Sequence, residues 1–365
     1  MKIVTTADWH YRNTDSYGVY NSSGVNDFLL DRVDISMEIV NKVRNLDAHL
    51  LIAGDFIDDR IVDSITLHYS SYIISMFNHL RATILLEGNH GFDGKDNLYS
   101  IISHWKYLCP DNLYIVTEPK ILEIDGVCYH CIPAINDVDK LFPEIMKDFI
   151  KQIKISKPNI LVLHAPIVDA KFDSGVKAKS GIKRDHIHTA SNKYDYVVCG
   201  DFHRYQKLFH NTWYTGSPMQ WSLRDKGQDK GFQIIDLDNN KVKFVKTSTH
   251  KFIEANWVIG EKICPLLKNP QNFKGTLKNS IVVIRLVKKF KQDEPPIEEV
   301  KKRLLDAGVK RIFVDKKTRA TEKRRTSISS NMGIPEMIEA FVEQHKDSLP
   351  ARRRRVIERG QKYLR

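Results

Sequence analysis

The sequence has few cysteines and no long apolar run, and both absences narrow what the protein can be. Its five cysteines are odd in number, and Cys131 and Cys199 stand in apolar segments, so we expect neither a disulfide framework nor a zinc site. No apolar stretch approaches the ~20 residues that cross a bilayer, and the first residues lack the apolar core of a signal peptide. We therefore expect an intracellular, cytoplasmic protein, or one in the host cytoplasm if the source is a virus.

Charge is distributed unevenly along the chain. The 365 residues include 57 basic and 45 acidic side chains, yet residues 1–250 are nearly balanced, with 29 basic against 31 acidic. Residues 251–365 contain 28 basic and 14 acidic side chains, a balance of +14. Thirteen of the 14 histidines lie in the first part. This pattern predicts an amino-terminal region able to bind metal or move protons and a basic region suited to a polyanion.

Strand-like apolar runs alternate with helix-period segments through the first half of the chain, which predicts an α/β fold with a mixed sheet. We expect a large domain over residues 1–250 and a small, basic α/β cap domain over residues 251–315. Residues 316–333 are polar and basic, and predict a linker. Residues 334–365 predict carboxyl-terminal helices divided by Pro350.

Polar side chains follow five of the predicted strands at their carboxyl ends. In chain order they are Asp8 and His10, Asp55, Asn89 and His90, His164, and Asp201 and His203. That edge of an α/β sheet is the usual binding crevice, so we expect these side chains to converge. Asp, His and Asn together suit Mn²⁺ or Fe²⁺ better than Ca²⁺ or structural zinc, and a bridging carboxylate would allow two ions ~3.5–4 Å apart.

The order of these motifs resembles the signature of the calcineurin-like metallophosphoesterase superfamily. The matching motifs are DxH at residues 8–10, GDxxD at 54–58, GNH at 88–90, His164, and GDFH at 200–203, where the family has GHxH. The resemblance spans residues 1–250 and implies a two-layered mixed-sheet sandwich flanked by helices. It also implies that one metal is held by Asp8, His10, Asp55 and His203, and the other by Asp55, Asn89, His164 and Asp201. By the same resemblance, His90 would stabilise or protonate the leaving oxygen.

Two positions depart from the family pattern. Gly91 stands where an acidic residue usually follows GNH, and Asp201 replaces a histidine. An oxygen ligand at position 201 favours Mn²⁺ or Mg²⁺, and a weakened second site is the alternative. We expect two divalent ions, Mn²⁺ first, with Mg²⁺ or Fe²⁺ as alternatives. Asp58 and Asp59 are expected to be structural, either capping a helix that begins near Ile61 or bracing the ligands.

A narrower resemblance, to nuclease subunits of the SbcD type in double-strand-break repair, comes from GSP at residues 216–218 and KGF at 230–232. It implies a Mn²⁺-dependent DNA exonuclease or endonuclease that acts as a homodimer, with an SbcC-like coiled-coil ATPase, inside a heterotetramer. No membrane partner is expected. A lysine-rich loop could contact DNA phosphates or simply be a solvated surface, and its basic residues are Lys177, Lys179, Lys183 and Arg184.

The predicted tail helix has one apolar stripe on an otherwise charged surface, formed by Ile334, Met337, Ile338, Phe341 and Val342. We expect this stripe to dock in a groove of the ATPase, and packing against the cap domain is the alternative.

Two other functions remain open at this stage. The same metals could serve a small-substrate phosphomonoesterase or cyclic-nucleotide phosphodiesterase, which would act on small esters but not on DNA. The chain could also be a non-catalytic DNA-binding subunit with a degenerate site, which would bind less than one metal per chain.

Overall fold

The computed structural model describes residues 1–91, 100–107, 111–261, 263–289 and 295–319. Its strands, in chain order, are β1 (Lys2–Thr6), β2 (His49–Ile52), β3 (Ala82–Leu86), β4 (Leu113–Val116), β5 (Lys120–Ile124), β6 (Val127–Ile132), β7 (Asn159–His164), β8 (Tyr196–Gly200), β9 (Gln206–Phe209), β10 (Thr212–Tyr214), β11 (Gly231–Asp236), β12 (Lys241–Lys246), β13 (Lys251–Val258), β14 (Ser280–Lys289) and β15 (Arg311–Arg319). Its α-helices are α1 (Asp27–Asn45), α2 (Ser64–Met76), α3 (Val138–Lys151), α4 (Arg184–Ser191), α5 (Pro265–Lys268), α6 (Lys274–Leu277) and α7 (Ile297–Asp306). Short 3₁₀ helices cover Phe77–His79, Ile101–Tyr107, Leu223–Asp225 and Pro270–Phe273.

Two six-stranded sheets form the amino-terminal part. The first has the order β12-β11-β1-β2-β3-β4, in which β1 to β4 are parallel and β11 and β12 are antiparallel to their neighbours. The second has the order β5-β6-β7-β8-β10-β9, with a parallel centre and antiparallel pairs at both edges. The prediction of a mixed-sheet α/β fold is confirmed.

The central strands are buried on both faces, which explains why their sequences are continuous apolar runs. Ile3 and Leu51 point from the first sheet into the space between the sheets, where they join Val162 of the second. The alternate residues of the first sheet, such as Leu50, pack against α1 and α2. Leu161 and its neighbours on the outer face of the second sheet pack against α3 and α4. The predicted two-layered sandwich flanked by helices is therefore confirmed.

Side-chain caps fix where the first two helices begin. The Asn26 side chain accepts a hydrogen bond from the amide of Phe28, and Asp63 accepts from the amides of Ile65 and Thr66. Helix α2 thus begins at Ser64 with Asp63 as its cap. The alternative that Asp58 or Asp59 caps this helix is wrong.

Strands β13, β14 and β15 form a separate, fully parallel sheet. Ile281 and Val283, on one face of β14, join the core around α1. Val282 and Ile284, on the other face, are covered by α7. The third sheet is thus a small α/β layer with its own core and one face on the sandwich.

Several strands were not predicted from the sequence, including β4, β5, β6, β9 and β13. The turn between β5 and β6 is Asp125-Gly126, and both residues have positive φ, 49° and 81°. This is the Asp-Gly signal of a two-residue hairpin, so the sequence did contain a marker for this pair. Strand β15 reaches Arg319, whereas the sequence placed residues 316–319 in the linker.

The rest of the predicted linker and the tail helices lie outside the described residues. Within the described part of the chain, no helix is both long and apolar enough to span a membrane. Four cysteines fall in that part, and all are free thiols: Cys128, Cys131, Cys199 and Cys264.

Candidate metal centre

The polar residues predicted to converge do so at the carboxyl ends of five strands, but these strands belong to two sheets. Strands β1, β2 and β3 lie in the first sheet, and β7 and β8 lie in the second. Asp8, His10, Asp55 and Asp201 all have positive φ, between 47° and 99°. Interlocking backbone bonds hold the loops in place: the Asp8 amide donates to Gly54 O, and the His10 amide to Asp55 O. Positive φ values at residues other than glycine are a form of backbone strain that is typical of functional sites.

The glycines of two motifs permit this close approach. A Cβ on Gly54 would lie 2.0 Å from His164 Nδ1, and a Cβ on Gly88 would lie 1.9 Å from Asp55 Oδ1. Both distances are far below van der Waals contact. Glycine at positions 54 and 88 is therefore required for the loops after β2 and β3 to reach the cluster.

Asp55 is the central residue of the cluster. Its Oδ2 lies 3.4 Å from His164 Nε2 and 3.7 Å from His10 Nε2. Its Oδ1 accepts a hydrogen bond of 3.1 Å from the His90 amide. One carboxylate oxygen thus faces imidazoles from both halves of the cluster, as a bridging ligand must.

On one side of Asp55, two imidazoles face each other. The Nε2 atoms of His10 and His203 are 3.0 Å apart. Asp58 Oδ1 lies 2.7 Å from His10 Nδ1, and Asp173 Oδ2 lies 3.4 Å from His203 Nδ1. Carboxylates behind the two rings therefore direct both Nε2 atoms inward, which is the usual arrangement behind metal-binding histidines. Asp58 therefore contacts His10, as the second expectation for this residue requires, and its bracing of a metal ligand stays a prediction.

On the other side, His164 is oriented in the same way by the backbone. Its Nδ1 lies 2.7 Å from Ala53 O, and its Nε2 lies 2.9 Å from Asn89 Oδ1 and 3.9 Å from Asp201 Oδ1. Asp8 Oδ1 accepts from the Asp201 amide at 3.1 Å, while Asp8 Oδ2 is buried with no hydrogen-bond partner among the described residues. Such an orphaned, buried carboxylate oxygen needs a cation.

The ionisation of the cluster reflects burial opposed by close charge pairs. Burial alone would raise the pKa of Asp55, but His164 and His10 hold it well below its usual range. Burial would lower the pKa of His164, but Asp55 and Asp201 raise it to about 10. Burial raises the pKa of Asp201 to about 6 even though His164 opposes the shift. The carboxylates of the cluster therefore favour a positive charge among them, which a bound cation would supply.

The donor set fits two divalent cations. Ligand atoms of Asp8, Asp55 and His164 lie within 4.8 Å of one another, and so do those of His10, Asp55 and His90. Asp55 belongs to both groups. Carboxylate, amide and imidazole donors suit Mn²⁺, Fe²⁺ or Zn²⁺ with open positions, and two groups that share a carboxylate match a dinuclear centre.

His90 lies beside this cluster and is 44% exposed. Its ring centre is 4.8 Å from that of His10, and its Nδ1 lies 2.8 Å from Asp58 O. Because Nδ1 is engaged with the backbone, Nε2 is the atom that can reach a substrate. His90 thus has the exposure that a proton donor needs.

A carboxyl group next to Gly91 was not predicted from the sequence. A Cβ on Gly91 would lie 2.2 Å from Glu87 Oε1, so the Glu87 side chain fills the space that a larger residue at position 91 would require. Burial, aided by the charge of Asp55, raises the pKa of Glu87 to about 8. An acid beside the GNH motif is therefore supplied from position 87, and no spacing rule pointed to it.

The lysine-rich loop is placed on the surface at α4. Lys177, Lys179 and Lys183 are exposed, and Lys177 Nζ lies 3.5 Å from Asp169 Oδ1. The Arg184 guanidinium lies 4.7 Å from the centre of the Phe209 ring and donates to Leu208 O. Phosphate contact by this loop stays a prediction, with Arg184 already engaged within the protein. The apolar stripe from Ile334 to Val342 lies outside the described residues.

Comparison with known proteins gives three findings. The family model described as calcineurin-like phosphoesterase matches residues 1–205. The SbcD subunit of the nuclease SbcCD from Staphylococcus epidermidis is 26% identical over 266 residues, which is 66% of this chain and 67% of that protein. A crystal structure of a dimetal phosphatase from Danio rerio has a TM-score of 0.41 and 10% sequence identity, covering 64% of this chain and 91% of the other.

Proposed function

Because the chain belongs to the calcineurin-like phosphoesterase family, we propose that it is a DNA nuclease that hydrolyses phosphodiester bonds at the cluster centred on Asp55. The observation that carries this proposal is the cluster itself. Carboxylate, amide and imidazole donors from five strands converge there, and one oxygen of Asp55 faces imidazoles on both sides.

The proposed ligands form two sets that share Asp55. Asp8, His10 and His203 complete one set, and Asn89, His164 and Asp201 complete the other. Mn²⁺ is the proposed metal, with Mg²⁺ or Fe²⁺ as alternatives, since Asp201 and Asn89 add hard oxygens to the second set. When bound, two such ions would polarise the phosphoryl group and lower the pKa of the attacking water.

His90 would act on the leaving group. The Asp58 carbonyl holds its Nδ1, and the ring is exposed, so Nε2 is the atom that would meet a substrate. A donor in this position protonates or stabilises the oxygen that departs when the P–O bond breaks. Arg12 supports it indirectly, because Arg12 Nη1 lies 2.6 Å from the Asp58 carboxylate that contacts both His10 and His90.

DNA is the proposed substrate for two reasons. The curated relative from Staphylococcus epidermidis is named a nuclease subunit. Residues 251–365 of this chain also carry twice as many basic as acidic side chains, 28 against 14. Contacts between such a region and phosphates bring affinity without sequence specificity. We also propose that the protein acts in the cytoplasm, or in the host cytoplasm if the source is a virus.

We also propose the assembly implied by the same relative, whose name makes it one subunit of a larger complex. In this proposal residues 1–250 are the nuclease domain and residues 251–319, through the end of β15, the cap that positions DNA. Residues 320–333 link them to a tail, residues 334–365, which binds an SbcC-like coiled-coil ATPase. Two copies of the chain would form the homodimer of a heterotetramer.

The test combines metal content with substrate choice. Purified protein is incubated with labelled linear and hairpin DNA, with a phosphomonoester and with a cyclic nucleotide, each with Mn²⁺ or Mg²⁺. We expect DNA cleavage that requires the metal. In Asp55→Ala, elemental analysis should show less Mn²⁺ at both positions, with cleavage lost, while Asp59→Ala should match wild type because Asp59 is exposed.

Three results would contradict the proposal. Cleavage of small esters without cleavage of DNA would indicate a phosphomonoesterase or cyclic phosphodiesterase. Metal content below one ion per wild-type chain would indicate a non-catalytic subunit. Full Mn²⁺ occupancy in Asp55→Ala would show that Asp55 does not bridge the two ions.

A further inference from the structure

The GSP and KGF motifs meet the metal cluster at one residue, His203. The Lys230 side chain is fully buried, and its Nζ donates a hydrogen bond of 2.7 Å to His203 O. The Ser217 amide donates to the same oxygen at 3.0 Å. Both motifs therefore hold the backbone of a proposed metal ligand.

The glycines of the motifs make this contact possible. Gly216 has φ of +71°, and a Cβ there would lie 2.6 Å from Tyr205 N and 2.9 Å from His203 O. A Cβ on Gly231 would lie 2.0 Å from Val245 O, across the pair of β11 and β12. Only glycine lets these two segments pack this closely against their neighbours, one of which is the backbone of His203.

Two carboxylates neutralise the buried ammonium group. Lys230 Nζ lies 2.6 Å from Asp225 Oδ1 and 3.9 Å from Asp173 Oδ1. Asp225 is itself fixed, since its Oδ2 accepts from the amides of Trp221 and Ser222, each at 3.0 Å. A buried charge is tolerated only when it is paired and hydrogen-bonded in this way.

Asp173 connects this pair to the imidazole. Its Oδ2 lies 3.4 Å from His203 Nδ1, while its Oδ1 faces Lys230. A carboxylate at Nδ1 keeps the proton there and leaves Nε2 as the donor atom. That Nε2 is the atom 3.0 Å from His10 Nε2.

We propose that Lys230 and Asp173 are positioning residues for His203. Lys230 fixes its backbone and Asp173 fixes its ring, so that its Nε2 atom points at the metal position that His203 would share with His10. This inference rests on the proposed metal centre. It gives the two motifs a role in metal binding.

A third metal ion is the competing interpretation of the same residues. Ligand atoms of Asp173, His203 and Asp225 lie within 4.8 Å of one another. The Lys230 ammonium group already supplies the positive charge at this place, 2.6 Å from Asp225. A cation there would face an ammonium group at close range, and the repulsion disfavours it.

The test measures metal binding directly, by titrating the metal-free, full-length chain with Mn²⁺ in a calorimeter and recording the visible spectrum of the Co²⁺-loaded protein. Removing a carboxylate behind a metal-binding histidine costs about 10–100-fold in metal affinity. Asp173→Ala should therefore lower the affinity for one of the two ions by that factor and alter the Co²⁺ absorption spectrum. Asp173→Asn, which can still accept from Nδ1, should recover part of the loss. Asp229→Ala, at an exposed Asp229–Lys246 pair, is the control for lost surface charge.

Lys230→Met tests the backbone contact, with Lys246→Met as its matched control on the same exposed pair. Lys230→Met should also weaken the binding of one of the two ions. If Lys230→Met fails to fold because Asp225 is left unpaired, Asp173→Ala decides the question, since Asp173 is partly exposed. Wild-type affinities and an unchanged Co²⁺ spectrum in Asp173→Ala would overturn the inference, as would a third ion bound by wild type and lost in Asp173→Ala. Failure of wild type to bind two ions would instead overturn the proposed metal centre.

Discussion

At the scale of single residues, the site is organised by atoms behind the ligands as much as by the ligands. Asp58, Asp173 and the Ala53 carbonyl each contact the Nδ1 atom of a different histidine. In all three cases the Nε2 atom is turned toward Asp55 or another proposed ligand. Changes at supporting residues should therefore alter metal affinity, whereas changes at His90 should alter the chemical step.

The first prediction concerns His90. His90→Ala should keep both Mn²⁺ ions and DNA affinity but lose ~10²–10⁴-fold in cleavage rate, because general acid or electrostatic assistance is typically worth that much. Rapid-quench kinetics under single-turnover conditions, together with elemental analysis, separates the rate from metal loss. His104→Ala is a control outside the cluster. Cleavage near the wild-type rate would show that His90 does not act on the leaving group.

The second prediction concerns Glu87, which is buried with Oε2 unpaired among the described residues. Burial raises its pKa to about 8, above the ordinary 4.5. Since the folded pKa is the higher one, ionisation of Glu87 opposes folding, and the penalty grows as pH rises from about 4.5 to about 8. Glu87→Gln should remove this penalty. In metal-free protein it should raise the melting temperature more at pH 8 than at pH 5.

Thermal melts monitored by circular dichroism in EDTA give the comparison for Glu87→Gln. A gain of the order of 2 kcal/mol in the free energy of unfolding at pH 8, with little change at pH 5, is expected. Glu118→Gln, in the loop between β4 and β5, is the control for an exposed glutamate. Equal shifts in melting temperature at both pH values would mean that the stabilisation does not come from the ionisation of Glu87.

At the scale of secondary-structure elements, α1 contributes a charge cluster to the junction between the sandwich and the third sheet. Arg311, at the start of β15, is 6% exposed and lies 2.6 Å from Asp27 and 3.3 Å from Asp31, both on α1. Its guanidinium also lies 5.3 Å from the centre of the Phe28 ring. Lys310 pairs with Asp31 as well. A partly buried charge cluster around one helix turn thus adds to the apolar contacts of Ile281 and Val283 at this junction.

The third prediction follows from this junction. Arg311→Met should lower the free energy of unfolding by about 2 kcal/mol, because Asp27 loses its charged hydrogen-bond donor while Asp31 keeps Lys310 and His250. Lys301→Met removes an exposed pair with Glu298 on α7 and should cost less than about 0.5 kcal/mol. Urea denaturation followed by tryptophan fluorescence measures both. Similar values for the two variants would show that the junction contributes no more than a surface ion pair.

At the scale of the whole molecule, the proposed metal ligands and the excess of basic side chains lie in different parts of the chain. The proposed ligands all lie in residues 1–250, which are nearly neutral, while residues 251–365 carry a balance of +14. This division agrees with one region that cleaves a phosphodiester and another that holds the polyanion and a partner. The tail beyond Arg319 then becomes the part whose removal should separate catalysis from assembly.

The fourth prediction is that deletion of residues 334–365 leaves metal-dependent cleavage of simple DNA ends within about twofold of wild type but abolishes binding to an SbcC-like ATPase. The apolar stripe from Ile334 to Val342 has the spacing of a helix that docks in a groove. Co-purification and ATP-stimulated cleavage report the loss of the complex. Co-purification equal to that of the full-length chain, or unfolding of the truncated chain, would place the stripe in the protein's own core.

The sequence by itself determined which residues form the candidate site and where along the chain they stand. Asp8, Asp55 and His164 each end a short apolar run, and both the run and the motif are local features that can be recognised without a structure. The mixed α/β class followed from the same local periodicity. The Asp-Gly turn after β5 is also a local signal, and it marks the hairpin of β5 and β6.

Only the tertiary structure decided how these residues meet. His164 lies in a different sheet from Asp55, yet its Nε2 atom is 3.4 Å from the Asp55 carboxylate. This proximity results from the packing of the two sheets through Ile3, Leu51 and Val162. The roles of Glu87 and Asp173 were equally hidden, since neither stands at a motif spacing. Contacts between residues 30 to 110 positions apart depend on how buried faces pack. Local sequence determines which faces are apolar but not which of them pack together.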